Sequence, residues 1–154
     1  MFTDGSNYPG TANMRQHERW FEEGLRGAHE TLAPDQRLLI EYKPFEPAFY
    51  HHKDVADWGM ALRLAKAAAK QASVLVDTGH HYQSQNIEQI VSWLLDDGML
   101  GGFHLNDRRF ADDDTTLGSI DPYQVFRIFH EICFCGWEIG GAADIAIWWT
   151  RAII

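Results

Sequence analysis

Apolar residues recur along the chain in two alternating patterns. Short apolar runs, typical of buried strands, occur at residues 37–40, 74–76 and 101–103. Each run is followed by a longer segment whose apolar residues are three or four positions apart, as they are on one face of a helix. A further segment with this helical spacing precedes the first run. The pattern therefore predicts strands that alternate with helices.

Capping residues give approximate bounds to four helices. Asp and Asn before a helical pattern, and Pro at its first position, are typical of helix starts, whereas Gly is typical of helix ends. The predicted helices cover residues 13–33, the segment from a cap at Asp54 to Ala69, the segment from a cap at Asn86 to Gly98, and a segment that begins at Asp121-Pro122 and includes Ile132.

Strand and helix alternate at about 30 residues per unit, which favours a parallel sheet covered by helices. A doubly wound sheet and a (β/α)8 barrel both fit this pattern. A complete barrel needs about 200 to 250 residues, more than the 154 of this chain. The prediction is one α/β domain over residues 1–154, and any barrel in it is incomplete.

Each predicted strand ends at a side chain that can bind a metal ion: Glu41, Asp77 and His104. The carboxyl ends of parallel strands meet at one edge of the sheet, where α/β proteins place their sites. A single carboxylate at a strand end is as often a helix cap or an ion-pair partner as it is a metal ligand. The prediction of a metal site therefore rests on the recurrence of such side chains at three strand ends. Carboxylates with imidazoles and no thiolate favour Mn²⁺, Mg²⁺ or Co²⁺ over structural zinc.

Charge and cysteine content exclude some alternatives. The formal net charge of -9 argues against a nucleic-acid binder and is compatible with a neutral sugar as substrate. Cys133 and Cys135 are separated by one residue, a spacing that suits neither a disulfide nor a four-ligand zinc site. With no leader-like N-terminus and no apolar segment long enough to span a bilayer, a soluble cytoplasmic protein is expected.

Five motifs in order, FTDGSNYPG, EYKPFEPAFY, VDTGHH, GGFHLNDRRFADDD and GSIDPY, resemble the L-rhamnose isomerase family. The resemblance covers the chain to about Glu131. It implies part of a xylose-isomerase-like TIM barrel, about half to two-thirds of the whole. It also implies a homo-oligomeric cytoplasmic enzyme that converts L-rhamnose to L-rhamnulose by a metal-assisted hydride shift between C1 and C2.

The resemblance further implies roles for individual residues and two divalent ions, with Mn²⁺ favoured over Co²⁺, Zn²⁺ and Mg²⁺. The structural ion would be bound by Glu41, Asp77 and His104. The catalytic ion would be bound by His80, Asp112 and Asp114. Lys43 and Glu41 would be the catalytic residues. Lys43 would contact the substrate oxygens, and His80 would also contact the sugar.

The chain departs from the family at both ends. The family continues on either side, and the tail 147–154 has no counterpart of its last metal ligand, which suggests that this tail is read in a shifted frame. The isolated chain is therefore expected to be inactive or weakly active. Two alternatives remain open: a metal-dependent hydrolase of the same barrel superfamily, and a truncated metal-binding remnant without activity. Neither nucleic acid nor a membrane is an expected partner.

Overall fold

A computed structural model describes residues 13–44, 54–110, 113–140 and 144–149. Within these ranges strands alternate with helices after an initial helix, as the apolar pattern predicts. The elements are α1 (Met14–Glu30), β1 (Leu38–Glu41), α2 (Trp58–Ala68), β2 (Ala72–Asp77), α3 (Ile87–Asp96), β3 (Leu100–Leu105), α4 (Pro122–Ile139) and β4 (Ala146–Trp149).

The strands form one parallel sheet in the order β1-β2-β3-β4. This order follows the sequence without a reversal, whereas a doubly wound sheet reverses its strand order at the point where ligands bind. The α/β class is therefore confirmed. The partial (β/α)8 barrel expected from the sequence is not shown by the described residues.

The first of two compact units comprises residues 1–74. In it α2 packs against both α1 and β1. Its buried apolar side chains come from β1, from α2 and from the first half of β2, and they include Ile40, Ala61, Leu64 and Val74. Because α1 has no buried residue, most of the core of this unit comes from the other elements.

The start of α2 differs from the prediction. Asp57, not Asp54, caps the helix, since its Oδ1 accepts a hydrogen bond from the backbone N–H of Met60 at 2.8 Å. Val55 was expected on the apolar face of the helix but precedes it, where its carbonyl accepts from the backbone N–H of Lys43 at 3.1 Å. Val55 is buried, so its apolar character reflects burial in a loop and not helical spacing.

The second unit comprises residues 75–154, and in it α3 packs against α4 and β3. Both predicted caps are confirmed: Asn86 Oδ1 accepts from Gln89 N, and Asp121 Oδ1 accepts from Gln124 N, each at 2.9 Å. Pro122 is the first residue of α4. The core comes mainly from β2, α3 and β3: Leu75, Val76, Ile87, Ile90, Val91, Leu94, Leu100, Phe103 and Leu105, with Ile128 from α4.

β4 was not predicted. Residues 147–154 were interpreted as read in a shifted frame and no strand was assigned to them, whereas Ala146–Trp149 pairs in parallel with β3, Gly102 opposite Ala146. A Cβ at Gly102 would lie 2.8 Å from the carbonyl oxygen of Ala146 and 3.0 Å from the Trp148 ring. The lack of a side chain at position 102 is what lets the two strands lie this close.

Among the helices of the described ranges, none is long and apolar enough to cross a membrane.

Candidate functional site

Asp77 is the last residue of β2 and is almost completely buried, at 4% exposure. Its Oδ1 accepts hydrogen bonds from the backbone N–H of Gly79 at 2.8 Å and from Nδ2 of Asn106 at 2.9 Å. Its other oxygen, Oδ2, lies 3.6 Å from Nδ1 of His104 and 3.8 Å from Nε2 of His80. One oxygen is thus held by protein donors, and the other faces two imidazoles.

The separations between Oδ2 of Asp77 and the two imidazole nitrogens exceed ordinary hydrogen-bond lengths. Donor atoms this far apart can share one divalent ion to which each bonds at about 2.1 Å. Within the second unit Asp77 thus lies near His80 and near His104, although these three residues are not a set whose ligand atoms all lie close enough to share one ion.

The charge of Asp77 suits this arrangement. Burial raises the pKa of the carboxyl group, but the surrounding groups lower it by more. These groups are His104 first, then His80, the Asn106 amide and the N–H of Gly79. The net pKa lies below its ordinary value of 3.8, so Asp77 is an anion at neutral pH.

The donor atoms around Asp77 fit a divalent ion that prefers oxygen and nitrogen ligands. The described side chains there supply a carboxylate and two imidazoles, and both cysteines lie elsewhere, in α4. Holding one oxygen of a ligating carboxylate with hydrogen bonds is typical of metal sites, because it fixes the direction of the other oxygen.

A buried network at the ends of β2 and β3 positions the Asn106 amide. The backbone N–H of Thr78 donates to the carbonyl of His104 at 3.0 Å, and the backbone N–H of Asn106 donates to Thr78 Oγ1 at 2.9 Å. The Thr78 hydroxyl in turn donates to the Asn106 carbonyl. A Cβ at Gly79 would overlap Asn106 Oδ1, so this turn has room only for glycine.

Arg108 holds the loop that carries the two histidines of the VDTGHH motif. Its Nη1 donates to the carbonyl of Thr78 at 2.9 Å, and its Nη2 donates to the carbonyl of Tyr82 at 2.7 Å. His81, between these anchors, is buried, and burial together with the charge of Arg108 lowers its pKa to about 3. His81 is therefore neutral at physiological pH, and its ring packs inside the loop.

β4 places an aromatic ring beside the site. The Trp148 ring meets the His104 ring edge to face, with centroids 5.6 Å apart and an interplanar angle of 77°. His104 and Trp148 are also paired residues of the two strands. The unpredicted strand thus supplies an apolar wall against one candidate ligand.

The acidic loop after β3 is organised by Asp107 and Asp113. Asp107 Oδ2 accepts from the backbone N–H groups of Ile120 at 2.6 Å and Asp121 at 3.0 Å, and Asp113 accepts from the backbone N–H of Arg109. Asp114 adopts a left-handed φ of 44°.

The structure describes only some of the predicted ligands of the second ion. Asp112 lies outside the described residues. In the described part of the chain, no set of three possible ligands close enough to share an ion includes Asp114. The role of these two carboxylates in a catalytic metal site stays a prediction.

Glu41 and Lys43 belong to the first unit. Glu41 is the last residue of β1, as predicted, and is half-buried. Lys43 follows it, with its backbone N–H held by the Val55 carbonyl at 3.1 Å. Their roles as ligand and substrate contact stay predictions.

The residues that hold Asp77 and the neighbouring loop were not predicted from the sequence. Thr78, Asn106 and Arg108 received no role, because a hydroxyl, an amide and an arginine in polar loops look like solvated residues. A signal for Asn106 does exist in its place two residues after His104, since this puts its amide at the strand ends where the ligands gather.

Two curated proteins are similar to this chain. A probable sugar isomerase of Mesorhizobium japonicum is 43% identical over 139 residues, which are 90% of this chain and 32% of that protein. A probable sugar isomerase of Rhizobium meliloti is 43% identical over 129 residues, which are 84% of this chain and 30% of that protein. The chain spans about a third of the length of these relatives. No protein-family model matches it.

These relatives correct the family suggested by the motifs. The chain was expected to be an L-rhamnose isomerase cut at both ends, but both relatives are named as probable sugar isomerases, without rhamnose in either name. The identification as a truncated L-rhamnose isomerase is therefore wrong.

Proposed function

We propose that this chain acts in the metal-dependent interconversion of an aldose and a ketose. The observation that carries the proposal is the geometry of Asp77, whose Oδ1 is held by Asn106 and Gly79 while Oδ2 faces His80 and His104. The names of the two relatives support sugar isomerisation. The substrate class is a neutral monosaccharide, which suits a chain with a formal net charge of -9.

The proposed ion is divalent, with Mn²⁺ favoured and Co²⁺, Zn²⁺ and Mg²⁺ as alternatives. Asp77 and His80 are its proposed ligands in the second unit, with His104 as a further candidate. Glu41 is also proposed as a ligand, because a carboxylate ends its strand as Asp77 ends β2. A second ion bound by His80, Asp112 and Asp114 is also part of the proposal.

In this reaction a hydrogen moves between C1 and C2 of the open-chain sugar while a proton moves between O1 and O2. A divalent ion supplies positive charge that polarises the carbonyl group and stabilises negative charge on the oxygens. Lys43 is proposed to donate a hydrogen bond to a sugar oxygen, and His80 to contact the sugar. Arg108 keeps the loop that carries His80 in place, since it donates to the carbonyls of Thr78 and Tyr82 on either side of that residue.

The test is to incubate the purified chain and Mn²⁺ with a panel of aldoses, each carrying deuterium at C2. We expect slow formation of a ketose that retains the deuterium at C1, because a hydride shift carries the label with it, and we expect EDTA to stop this reaction. No ketose from any aldose, with a folded chain that binds Mn²⁺, would contradict the proposal. Complete loss of the label to water would contradict the hydride shift.

A pair of variants links the activity to the site. Asp77→Asn removes the anion that faces both imidazoles, so ketose formation should fall at least about 100-fold, as expected when a metal ligand is lost. Asp35→Asn removes the same charge from an exposed position in the first unit and should leave the rate unchanged. Equal rates for the two variants would show that Asp77 has no part in the reaction.

A further inference from the structure

A polar pocket of about 500 Å³ lies in the second unit, separate from the side chains of Asp77, His80 and His104. It is bounded by the loop after β2, the loop after β3 and the first turns of α3 and α4. Its lining includes three arginines and three glutamines: Arg108, Arg109, Arg127, Gln83, Gln85 and Gln124. These three arginines are a concentration of positive charge in a chain whose formal net charge is -9.

The two carboxylates that line the pocket are both engaged by Arg127. Its Nε donates to Oε1 of Glu88 at 2.7 Å, and its Nη2 lies 3.9 Å from Oδ2 of Asp121. The other oxygen of Asp121 caps α4 by accepting from Gln124 N. Glu88 and Asp121 therefore offset the charge of Arg127 before any ligand enters.

The other two arginines are not matched in this way. Arg108 donates to the neutral carbonyls of Thr78 and Tyr82, and its Nε has no hydrogen-bond partner within the described structure. The Arg109 guanidinium lies 5.7 Å from the centre of the Phe110 ring and forms no ion pair with a described carboxylate. Since an aromatic ring carries no net charge, the positive charge of Arg109 is left for a ligand.

Nearby carboxylates outside the pocket do not pair with the charge of Arg109 in place of a ligand. Asp113 accepts twice from the backbone N–H of Arg109, and Asp107 accepts from the backbone N–H groups of Ile120 and Asp121. Neither carboxylate lines the pocket. Both hold the loop in shape, and both attract the half-buried guanidinium of Arg108, as do Asp121 and Asp77. The positive charge at the lining that forms no ion pair with a described carboxylate is therefore that of Arg109.

From this arrangement we infer that the pocket binds a phosphate group, with Arg109 as its charged contact and the glutamine amides as further donors. The planar guanidinium presents paired N–H donors that match the oxygens of a phosphate. The volume accommodates the phosphate and a small organic group attached to it. The chemistry is common to free phosphate and to a phosphate ester, and the site is distinct from the proposed sugar and metal site.

In the first experiment the full chain is treated with a chelator and then titrated with inorganic phosphate at low ionic strength. Isothermal titration calorimetry measures the binding. Chelation removes divalent ions that could themselves hold phosphate. We expect saturable binding of one phosphate that weakens as NaCl is added, because the contacts are between charges. The absence of saturable binding at millimolar phosphate would overturn the proposal.

Three variants assign the binding to the pocket. Arg109→Gln should weaken the affinity at least about tenfold, the scale of one lost charge-assisted contact. Glu88→Gln should strengthen it, because this change frees Arg127 and removes a negative charge. Arg15→Gln, an exposed arginine in α1, is the matched control and should bind as the unchanged chain does. Equal affinities for Arg109→Gln and Arg15→Gln would refute the assignment.

Two further measurements test whether Arg109→Gln folds normally and whether the ligand is free phosphate or a phosphate ester. Because the Arg109 guanidinium makes no hydrogen bond to described residues, Arg109→Gln should keep the thermal midpoint of the unchanged chain, so its weaker binding is not a folding defect. Glycerol phosphate is then compared with inorganic phosphate. Tighter binding of the ester identifies a phosphate ester as the ligand, and equal binding identifies free phosphate.

Discussion

The side-chain amide of Asn106 donates a hydrogen bond of 2.9 Å to Oδ1 of Asp77, and through it the residue after β3 controls a carboxylate at the end of β2. Asn106 is itself fixed, because it is 1% exposed and its backbone N–H is held by Thr78. This one contact helps decide which oxygen of Asp77 faces the imidazoles of His80 and His104. The candidate metal site therefore depends on an amide that binds no metal.

Replacing Asn106 by alanine should separate this positioning role from folding. Asn106→Ala removes the donor to Asp77 Oδ1 and frees the carboxylate to turn, so affinity for Mn²⁺ should fall about 10- to 100-fold, the range for residues that orient a ligand. The free energy of unfolding should also fall, by about 1 to 3 kcal/mol, because a buried hydrogen bond is lost. Calorimetric titration with Mn²⁺ and urea unfolding measure the two effects.

Asn86→Ala is the matched control for that change. Asn86 caps α3 and does not contact Asp77, so its loss should lower stability by about 1 kcal/mol and leave Mn²⁺ affinity unchanged. If the two asparagine variants lost metal affinity equally, the effect of Asn106 would be a general consequence of destabilisation, and the positioning role would be wrong.

The sequence predicted the elements whose signals are local. The caps at Asn86 and Asp121 and the strand ends at Glu41 and Asp77 follow from residue types within a few positions of one another. The cap of α2 was misplaced by three residues, because both Asp54 and Asp57 precede the apolar face and only the fold decides which one reaches an open N–H.

What could not be predicted depends on contacts between distant residues. Asn106 and Asp77 are 29 positions apart, and no local pattern shows that an amide and a carboxylate meet. β4 was missed for a related reason. A short run of Ile and Trp is compatible with several structures, and its pairing with β3 depends on the lack of a side chain at Gly102.

Gly102→Ala should separate β4 from β3. The new Cβ would lie 2.8 Å from the carbonyl oxygen of Ala146 and 3.0 Å from the Trp148 ring, and the former is backbone that cannot turn away. The free energy of unfolding should fall by about 1 to 3 kcal/mol, the usual cost of overpacking. The tryptophan fluorescence of the folded chain should change as Trp148 moves from His104.

The contrasting glycine is Gly24, within α1, where an added Cβ meets nothing within 4 Å. Gly24→Ala should raise stability by about 0.5 to 1 kcal/mol, because alanine is the better helix former. Should both glycine variants prove equally stable, the close approach of β3 and β4 would not limit the size of residue 102.

Asp107 should govern the order of the loop that leads into α4. Asp107→Ala removes the acceptor shared by the part-buried backbone N–H groups of Ile120 and Asp121, which then lose their hydrogen-bond partner in the protein. Hydrogen exchange at these two amides should become faster by at least about tenfold. Asp107→Asn keeps an acceptor oxygen and should restore most of the protection, whereas equal exchange in both variants would exclude this role.

Binding of Mn²⁺ to the purified chain tests the central claim most directly. The unchanged chain, Asp77→Asn and Asp35→Asn are each titrated with Mn²⁺, and binding is measured by calorimetry or by the electron paramagnetic resonance of free Mn²⁺. The two variants compare a proposed ligand with an exposed carboxylate of the same charge. The account predicts saturable binding by the unchanged chain and by Asp35→Asn, and a loss of at least about 100-fold in affinity for Asp77→Asn. No binding by the unchanged chain, or equal binding by all three, would contradict it.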